Sequence, residues 1–385
     1  IVDAYKMGVI EEAPEQLFNT TLAVIDLSRI DMVIDSLNNF FYNLIQYKVS
    51  SISDLIAVEI AVDRSEAYGK SDPFFEGGEF FDLYNIAQYL SFFNNDIKLS
   101  FLADNVRASL DSIIYYKWSA PEKPHSHGLS IWWPMEELVY TDKINNYRDT
   151  KFAADTNWDE FLSSYKNLKA SDIEPPTVTN VTASSYEVHP GTPITITAEV
   201  ADNYLVKTAY LISFLEEGGT LYAISISPRK EIYYDCTAGM CPGVVEFQFD
   251  ALGTTLSDGT QEYFFPTFWV TDRVILVTGT YVEGEAARAA RVYFNANNGN
   301  MIAMYLIDEE FSEYTPQPGS LFYPHIYIYN DAQGDIVPVE SIGLIATSLR
   351  IRTGMAFPSG DYTLAVVASD FSDNENLSEI LITVP

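Results

Sequence analysis

The hydrophobic period changes once along this 385-residue chain, and the change is abrupt. Up to about residue 168 apolar side chains recur at helical spacing; beyond residue 176 they alternate with polar ones. Ile34, Leu37, Phe40, Phe41, Leu44 and Ile45 form the stripe of an amphipathic helix, with Asp26 and Ser28 as candidate caps at its start. Phe81, Tyr84, Ile86, Tyr89 and Leu90 predict a second helix, and Val106, Leu110, Ile113 and Ile114 a third. Trp158, Phe161, Leu162 and Tyr165 predict a last one, capped by Asn157. Between them, the short apolar run ending in Trp132-Trp133-Pro134 reads as a buried strand, its two Trp forming core on one side and cover on the other.

The second half reads differently. Ser171-Asp-Ile-Glu-Pro-Pro176 forbids helix and favours an extended path, so residues 169–176 form a linker. Ile194-Thr-Ile-Thr-Ala-Glu-Val200 then alternates apolar and polar, as does Tyr362-Thr-Leu-Ala-Val-Val-Ala-Ser-Asp370. Short strands broken by Gly, Pro, Asn and Asp predict immunoglobulin-like β-sandwiches, one or two of them. The expected division is an α/β domain over 1–168, a sandwich over 177–254 and a second over 255–385. The fold class is multi-domain, α/β followed by all-β. A chain of this length also exceeds the roughly 250–300 residues at which one core stops growing.

Charge narrows the partners. The 22 Lys and Arg face 54 Asp and Glu, a net charge of −32. Such a surface repels phosphate backbones and anionic lipid, so nucleic acid is excluded as a partner and cations or basic peptides are compatible. No apolar run reaches the roughly 20 residues of a membrane span. The chain is expected not to be membrane-spanning. It opens on Ile1-Val-Asp-Ala-Tyr-Lys-Met-Gly8, already in helical register, as a processed or truncated product would.

Both cysteines lie in Cys236-Thr-Ala-Gly-Met-Cys241, a spacing that closes a local disulfide across a turn, contributing roughly 2 kcal/mol. Three glycosylation triplets begin at Asn19, Asn180 and Asn376. Together these features place the protein in an extracellular or cell-surface setting.

Candidate chemistry is sparse. The four His (125, 127, 189 and 325) are scattered, and no G-x-S-x-G occurs, so a serine triad has no support. His125 and His127 stand two apart and would share one face of a strand, which is half a metal site; Pro124 before them suggests a loop instead. Gly77-Gly78 and Gly218-Gly219 lack the Lys and helix of a phosphate loop. Arg64, Lys70, Arg107, Lys117, Lys123 and Lys151 stand among acids and read as solvated partners of neighbouring carboxylates. Asp202, Asn203, Asp370, Asp373 and Asn374 end predicted strands and carry the oxygen types that Ca²⁺ prefers. Brought to one end of one sandwich they could bind calcium; 168 positions separate the two groups, which places them in different sandwiches. Solvated turn carboxylates are the commoner state of such residues.

Four segments follow one another in a telling order. They are Asn19-Thr-Thr-Leu-Ala-Val-Ile-Asp-Leu-Ser28, Phe81-Asp-Leu-Tyr84, Gly128-Leu-Ser-Ile-Trp-Trp-Pro134 and Phe152-Ala-Ala-Asp-Thr-Asn-Trp-Asp-Glu-Phe-Leu162. The series resembles the region downstream of the active site in clostripain-like cysteine peptidases, secreted proteases with a caspase-like fold. That resemblance implies a partial caspase-like domain, cleavage after basic residues, and a tendency to need calcium. The family's nucleophile and His-Gly base lie upstream of the matched region, so no catalytic residue is assigned here. His127-Gly128 copies the letters of the base motif but precedes the wrong strand; it reads as a residue leading into that strand. Neither cysteine has the base neighbour or helix N-terminus that lowers a thiol pKa.

The expected function is therefore the non-nucleophile portion of a secreted endopeptidase, partnered by an N-terminal catalytic fragment of the same precursor. The alternative is a non-catalytic surface or assembly protein on the same scaffold, pairing edge strands with copies of itself. Glycan binding through exposed aromatics is a third reading.

Overall fold

The boundary between two compact units falls inside the Pro-rich stretch, with Ile1–Asp172 on one side and Ile173–Pro385 on the other. The computed structural model describes residues 21–47, 56–68, 80–93, 97–119, 123–134, 137–203, 205–235, 243–265, 268–271, 274–306, 312–330 and 335–385. Among them no helix is long and apolar enough to cross a membrane.

The first unit mixes helices and short strands: β1 (Thr21–Ile25), α1 (Ile30–Tyr47), α2 (Ile56–Asp63), β2 (Ala67–Tyr68), β3 (Phe80–Asp82), α3 (Leu83–Phe93), α4 (Ile97–Ile113), β4 (Ile114–Ser119), β5 (Ser130–Trp132), α5 (Glu137–Arg148), α6 (Lys151–Asp155) and α7 (Trp158–Lys169). Helix α1 buries Leu37, Phe40, Phe41 and Leu44 as its spacing predicted, together with Val33, and leaves Ile34 and Ile45 half-buried. Asp26 does cap, accepting the backbone N–H of Ser28 at 3.0 Å, but it caps a 3₁₀ turn preceding α1. Asn157 precedes α7 without a side-chain cap bond; its carbonyl accepts the N–H of Phe161 and its own N–H donates to Asn38 Oδ1.

Strands β2, β3 and β5 form one antiparallel sheet in the order β2-β3-β5, and β1 pairs with β4 in another. Two expected helical positions are strand instead. Phe81 pairs with Ile131 in the sheet, and Ile114 opens β4 opposite Ile25. Trp132 and Trp133 are both buried, on opposite sides. Trp132 stacks on Tyr140 and Tyr147 of α5, whereas Trp133 meets Trp158, Phe161 and Tyr165 of α7. The expectation is core on one side and cover on the other; instead both Trp are core, because helices cover both sides of this sheet.

The second unit is all strand apart from one 3₁₀ turn among its described residues. In chain order its strands are β6 (Thr177–Ala183), β7 (Ile194–Ala201), β8 (Leu205–Glu217), β9 (Thr220–Ile226), β10 (Lys230–Asp235), β11 (Gly243–Phe249), β12 (Leu252–Ser257), β13 (Glu262–Phe264) and β14 (Phe268–Thr271). There follow β15 (Val274–Glu283), β16 (Ala286–Asn295), β17 (Met301–Leu306), β18 (Ser312–Glu313), β19 (Leu321–Asn330), β20 (Asp335–Glu340), β21 (Leu344–Ile345), β22 (Arg350–Ala356), β23 (Gly360–Asp370) and β24 (Glu375–Val384).

A large sheet carries the order β18-β17-β16-β15-β19-β9-β8-β23-β24, with β10, β14, β20 and β21 attached to it; β11-β7-β6 and β13-β12-β22 are separate three-stranded sheets. Strand β7 buries Ile194, Ile196, Ala198 and Val200 against Leu211, Leu364 and Val366, so two sheets pack face to face as its alternation requires. The central strands β8 and β23 are buried on their second face too, where Phe214, Ala365 and Val367 form a further core. A third core gathers Ile275, Val277, Val292, Phe294 and Phe322. Strands from either side of residue 254 thus share one sheet, since β8 pairs with β23 along its length.

Candidate functional site

The densest set of functional side chains in the first unit surrounds Asp82, at the junction of β3 and α3. The strand ends there because the next residues wind into α3, and Asp82 marks the turn. Its Oδ1 accepts the backbone N–H of Asn85 at 3.0 Å, and its Oδ2 accepts the backbone N–H of His127 at 2.6 Å. Tyr68 donates its hydroxyl to Oδ2 at 3.2 Å and is also 2.6 Å from the Ser126 hydroxyl. Asp82 is fully buried. Burial pushes its carboxyl above the usual range, against the bonds from His127 and Asn85 that pull it down. Burial likewise raises the Tyr68 phenol, with Asp82 adding to the rise.

His127 lies flat on Tyr84, ring centroids 4.0 Å apart and planes within 5°. Arg107 covers the same Tyr84 ring from 5.1 Å. The Nδ1 of His127 is 2.5 Å from the carbonyl oxygen of His125, which puts the ring proton on Nδ1 and leaves Nε2 to accept. Burial holds this imidazole below its ordinary range even though Asp82 attracts the proton. Gly128 follows with φ +102°, and a Cβ there would sit 2.4 Å from the Ala23 Cβ of β1. That close approach requires glycine.

This arrangement is a buried polar clamp with no nucleophile. Ser126 is buried and engaged with Tyr68, and the chain's cysteines stand at 236 and 241. His125 is exposed and contributes backbone groups: its N–H donates to Glu66 and its carbonyl accepts from Asn85. His125 and His127 sit in a loop, as Pro124 suggested, and not on one face of a strand. Among the described residues no three His, Cys, Asp or Glu side chains are grouped to hold a metal ion.

Arg64, Lys117 and Lys151 are exposed as expected, whereas Arg107 and Lys123 are half-buried. Lys123 meets Glu66 at 3.5 Å and lies over Tyr68, and Arg107 pairs with Asp104 at 2.9 Å. Both keep only about a quarter of their side chains exposed. Lys151 pairs with Asp155 at the surface, as expected. Lys70 lies outside the described residues.

In the second unit the oxygen-rich groups expected in separate sandwiches come to one end of one sheet. Asp370 pairs in register with Val206, and the N–H of Phe371 donates to the carbonyl of Leu205. Yet Asp370 and Asp202 are occupied by their own turns, and Asn203 and Asp373 by residues of other segments. Asp370 Oδ1 accepts the N–H groups of Ser372 and Asn374, and Oδ2 accepts the Asn374 amide. Asp202 Oδ2 accepts Leu205 N–H, Asn203 donates to Glu174, and Lys207 reaches Asp373 at 3.9 Å. The oxygens suit Ca²⁺ by type; their present partners make them turn staples.

Asn180 is exposed, with its amide donating to Glu199, and the amide of Asn376 donates to the Pro176 carbonyl. Asn19 and the Cys236–Cys241 turn lie outside the described residues. Asp82 and His127 fall in separate sequence motifs, and the one sequence signal of their pairing is the buried-strand pattern just after His127.

Neither a protein-family model nor a curated protein matches this chain. Among solved structures it is similar to dimeric latent PorU from Porphyromonas gingivalis, at 11% identity and a TM-score of 0.15, over 55% of this chain and 24% of that one.

Proposed function

We propose that the first unit is the non-nucleophile portion of a clostripain-like cysteine endopeptidase with a caspase-like fold, and that the second unit is its immunoglobulin-like extension. The protein would be secreted, with cleavage after basic residues. One observation carries this reading: the four segments that resemble the family meet in space. Ala23 of the first crowds Gly128 of the third. Phe81 of the second pairs with Ile131 of the third, and Trp158 of the fourth donates its indole N–H to the Trp132 carbonyl at 2.9 Å.

On this reading the thiol and its base come from a companion segment of the same precursor. The clamp around Asp82 then fixes the loop beside the sheet and takes no proton from substrate. The test is to express the whole precursor and treat it with an arginyl chloromethyl ketone. The label should appear on a companion polypeptide that co-purifies with this chain. Purified chain of this length that cleaves an arginyl amide unaided would overturn the reading.

A second reading, self-assembly without catalysis, is favoured by the β1–β4 ribbon. Val24 and Tyr116 are register partners and each is about two-fifths exposed, beside the more exposed Tyr115 and Leu27. Concentration-dependent assembly in sedimentation velocity, lost in Tyr116→Lys, would support it.

A further inference from the structure

The second unit contains a cleft of about 350 Å³ where β8, β9, β11, β12 and β22 approach one another. It falls at the small end of the roughly 300–1,000 Å³ typical of ligand sites. Its lining includes Asp250 and no Lys, Arg or His, so it offers nothing to an anion. Its polar groups are mostly hydroxyls. Thr254 is only 6% exposed, and among the described residues its hydroxyl has no hydrogen-bond partner. That hydroxyl is not among the polar atoms sealed from solvent without a partner, so the cleft is the side from which a partner can come.

Two further groups converge on the same space. Ser225 donates to the nearly fully buried Ser213 at 3.0 Å, which leaves the Ser225 oxygen to accept from a ligand. Asp250 uses Oδ1 to accept the Leu252 N–H; among the described residues its Oδ2 has no partner. Phe249 and Phe265 complete the wall with apolar surface. Hydroxyl donors and acceptors, one carboxylate oxygen and an apolar side are what a pyranose ring presents in mirror image: several hydroxyls around one C–H face. A peptide would need an open strand edge, and an amino acid would need a cation for its carboxylate.

We propose that this cleft binds a single neutral hexopyranose residue of a glycan, held by Thr254, Ser225 and Asp250. The site is separate from the clamp in the first unit and does not depend on the peptidase reading. The test is saturation-transfer NMR on the full chain with methyl glucosides, galactosides, mannosides and N-acetylglucosaminides at millimolar concentration. At least one should receive saturation, and Thr254→Val and Asp250→Asn should each weaken its binding about ten-fold, the loss of one good hydrogen bond. Should Thr254→Val fail to fold by circular dichroism, Asp250→Asn carries the test, because it keeps the oxygen that accepts from Leu252. No transfer to any of these sugars, or transfer unchanged in the folded variants, overturns the proposal.

Discussion

The Oδ2 of Asp82 and the backbone N–H of His127 stand 2.6 Å apart across 45 positions of sequence. The bond joins the end of β3 to the loop that leads into β5, and Tyr68 and Asn85 close the ring around it. Because the carboxylate is fully buried, each donor it serves would otherwise be orphaned in a poorly solvated place.

Asp82→Ala should therefore lower the stability of the first unit by about 3 kcal/mol, since buried donors left unpaired cost roughly 1–3 kcal/mol each. Urea unfolding followed by tryptophan fluorescence reads it directly. Asp82→Asn gives the sign of the charge. Burial raises the folded carboxyl above its unfolded value, so the folded state holds the proton more readily. The wild type should gain on Asp82→Asn as pH falls from neutrality and stop gaining below the unfolded value near 3.8. A gap that moves the other way would show that the carboxylate is not the group being buried at a cost.

Gly128→Ala tests the contact between β1 and the β5 loop. The added methyl would lie 2.4 Å from the Ala23 Cβ at a φ of +102°, so both steric clash and backbone strain oppose it. The expected loss is about 2–3 kcal/mol, from overpacking and an unfavourable left-handed residue. Gly191→Ala is the control. It shares a positive φ but has open space around its Cβ position, so it should cost less. Equal losses would remove the β1 contact from the explanation.

What could be read from the sequence was whatever one element decides by itself. The stripe of α1 and the alternation of β7 each present a single face to a single core, and both were legible. The start of β4 was not. Val106, Leu110 and Ile113 keep helical spacing up to Ile114, and no Gly or Pro separates α4 from β4. Only pairing with β1, from Thr21 opposite Ser119 to Ile25 opposite Ile114, selects the extended form. Phe81 is the same case, a strand residue because Ile131 lies opposite it. The clamp escaped for a related reason: Asp82 meets His127 and Tyr68 across a sheet whose register residue spacing does not carry. The Asp370 turn is local, its partners standing two and four positions on, and it fits the turn-carboxylate reading of such residues.

Asp258 should give the second unit an acid-labile contribution. The carboxylate ties the turn after β12 to β21: Oδ1 accepts from Thr260 and Gln261, and Oδ2 accepts the Ile345 N–H at 3.0 Å. Burial alone would raise its pKa, but these bonds outweigh it and hold the carboxyl well below the usual range. A depressed folded pKa contributes stability above the unfolded value and loses it as pH falls below about 3.8. Asp258→Ala should cost about 2 kcal/mol at pH 7, given hydrogen bonds to a charged acceptor of roughly 1.5–3 kcal/mol. The difference from wild type should shrink in thermal melts at pH 3. A difference independent of pH would mean that the charge plays no part.

Asp370 decides between a turn and an ion at the end of β23. Its two oxygens already accept the N–H groups of Ser372 and Asn374 and the Asn374 amide, and the residue is fully buried. A calcium ion ligated there would have to displace those donors, whose bonds come at no cost in dehydrating an ion. The turn reading predicts that Asp370→Ala lowers the melting temperature of the second unit, by about 2–3 kcal/mol in stability, and that chelator and added calcium leave the wild type unmoved. The ion reading predicts the opposite pattern: a wild-type melting temperature that rises with calcium by mass action, and an Asp370→Ala variant that has lost the response. Scanning calorimetry with and without calcium separates the two, because only a ligand to the ion makes the effect of the substitution depend on calcium concentration.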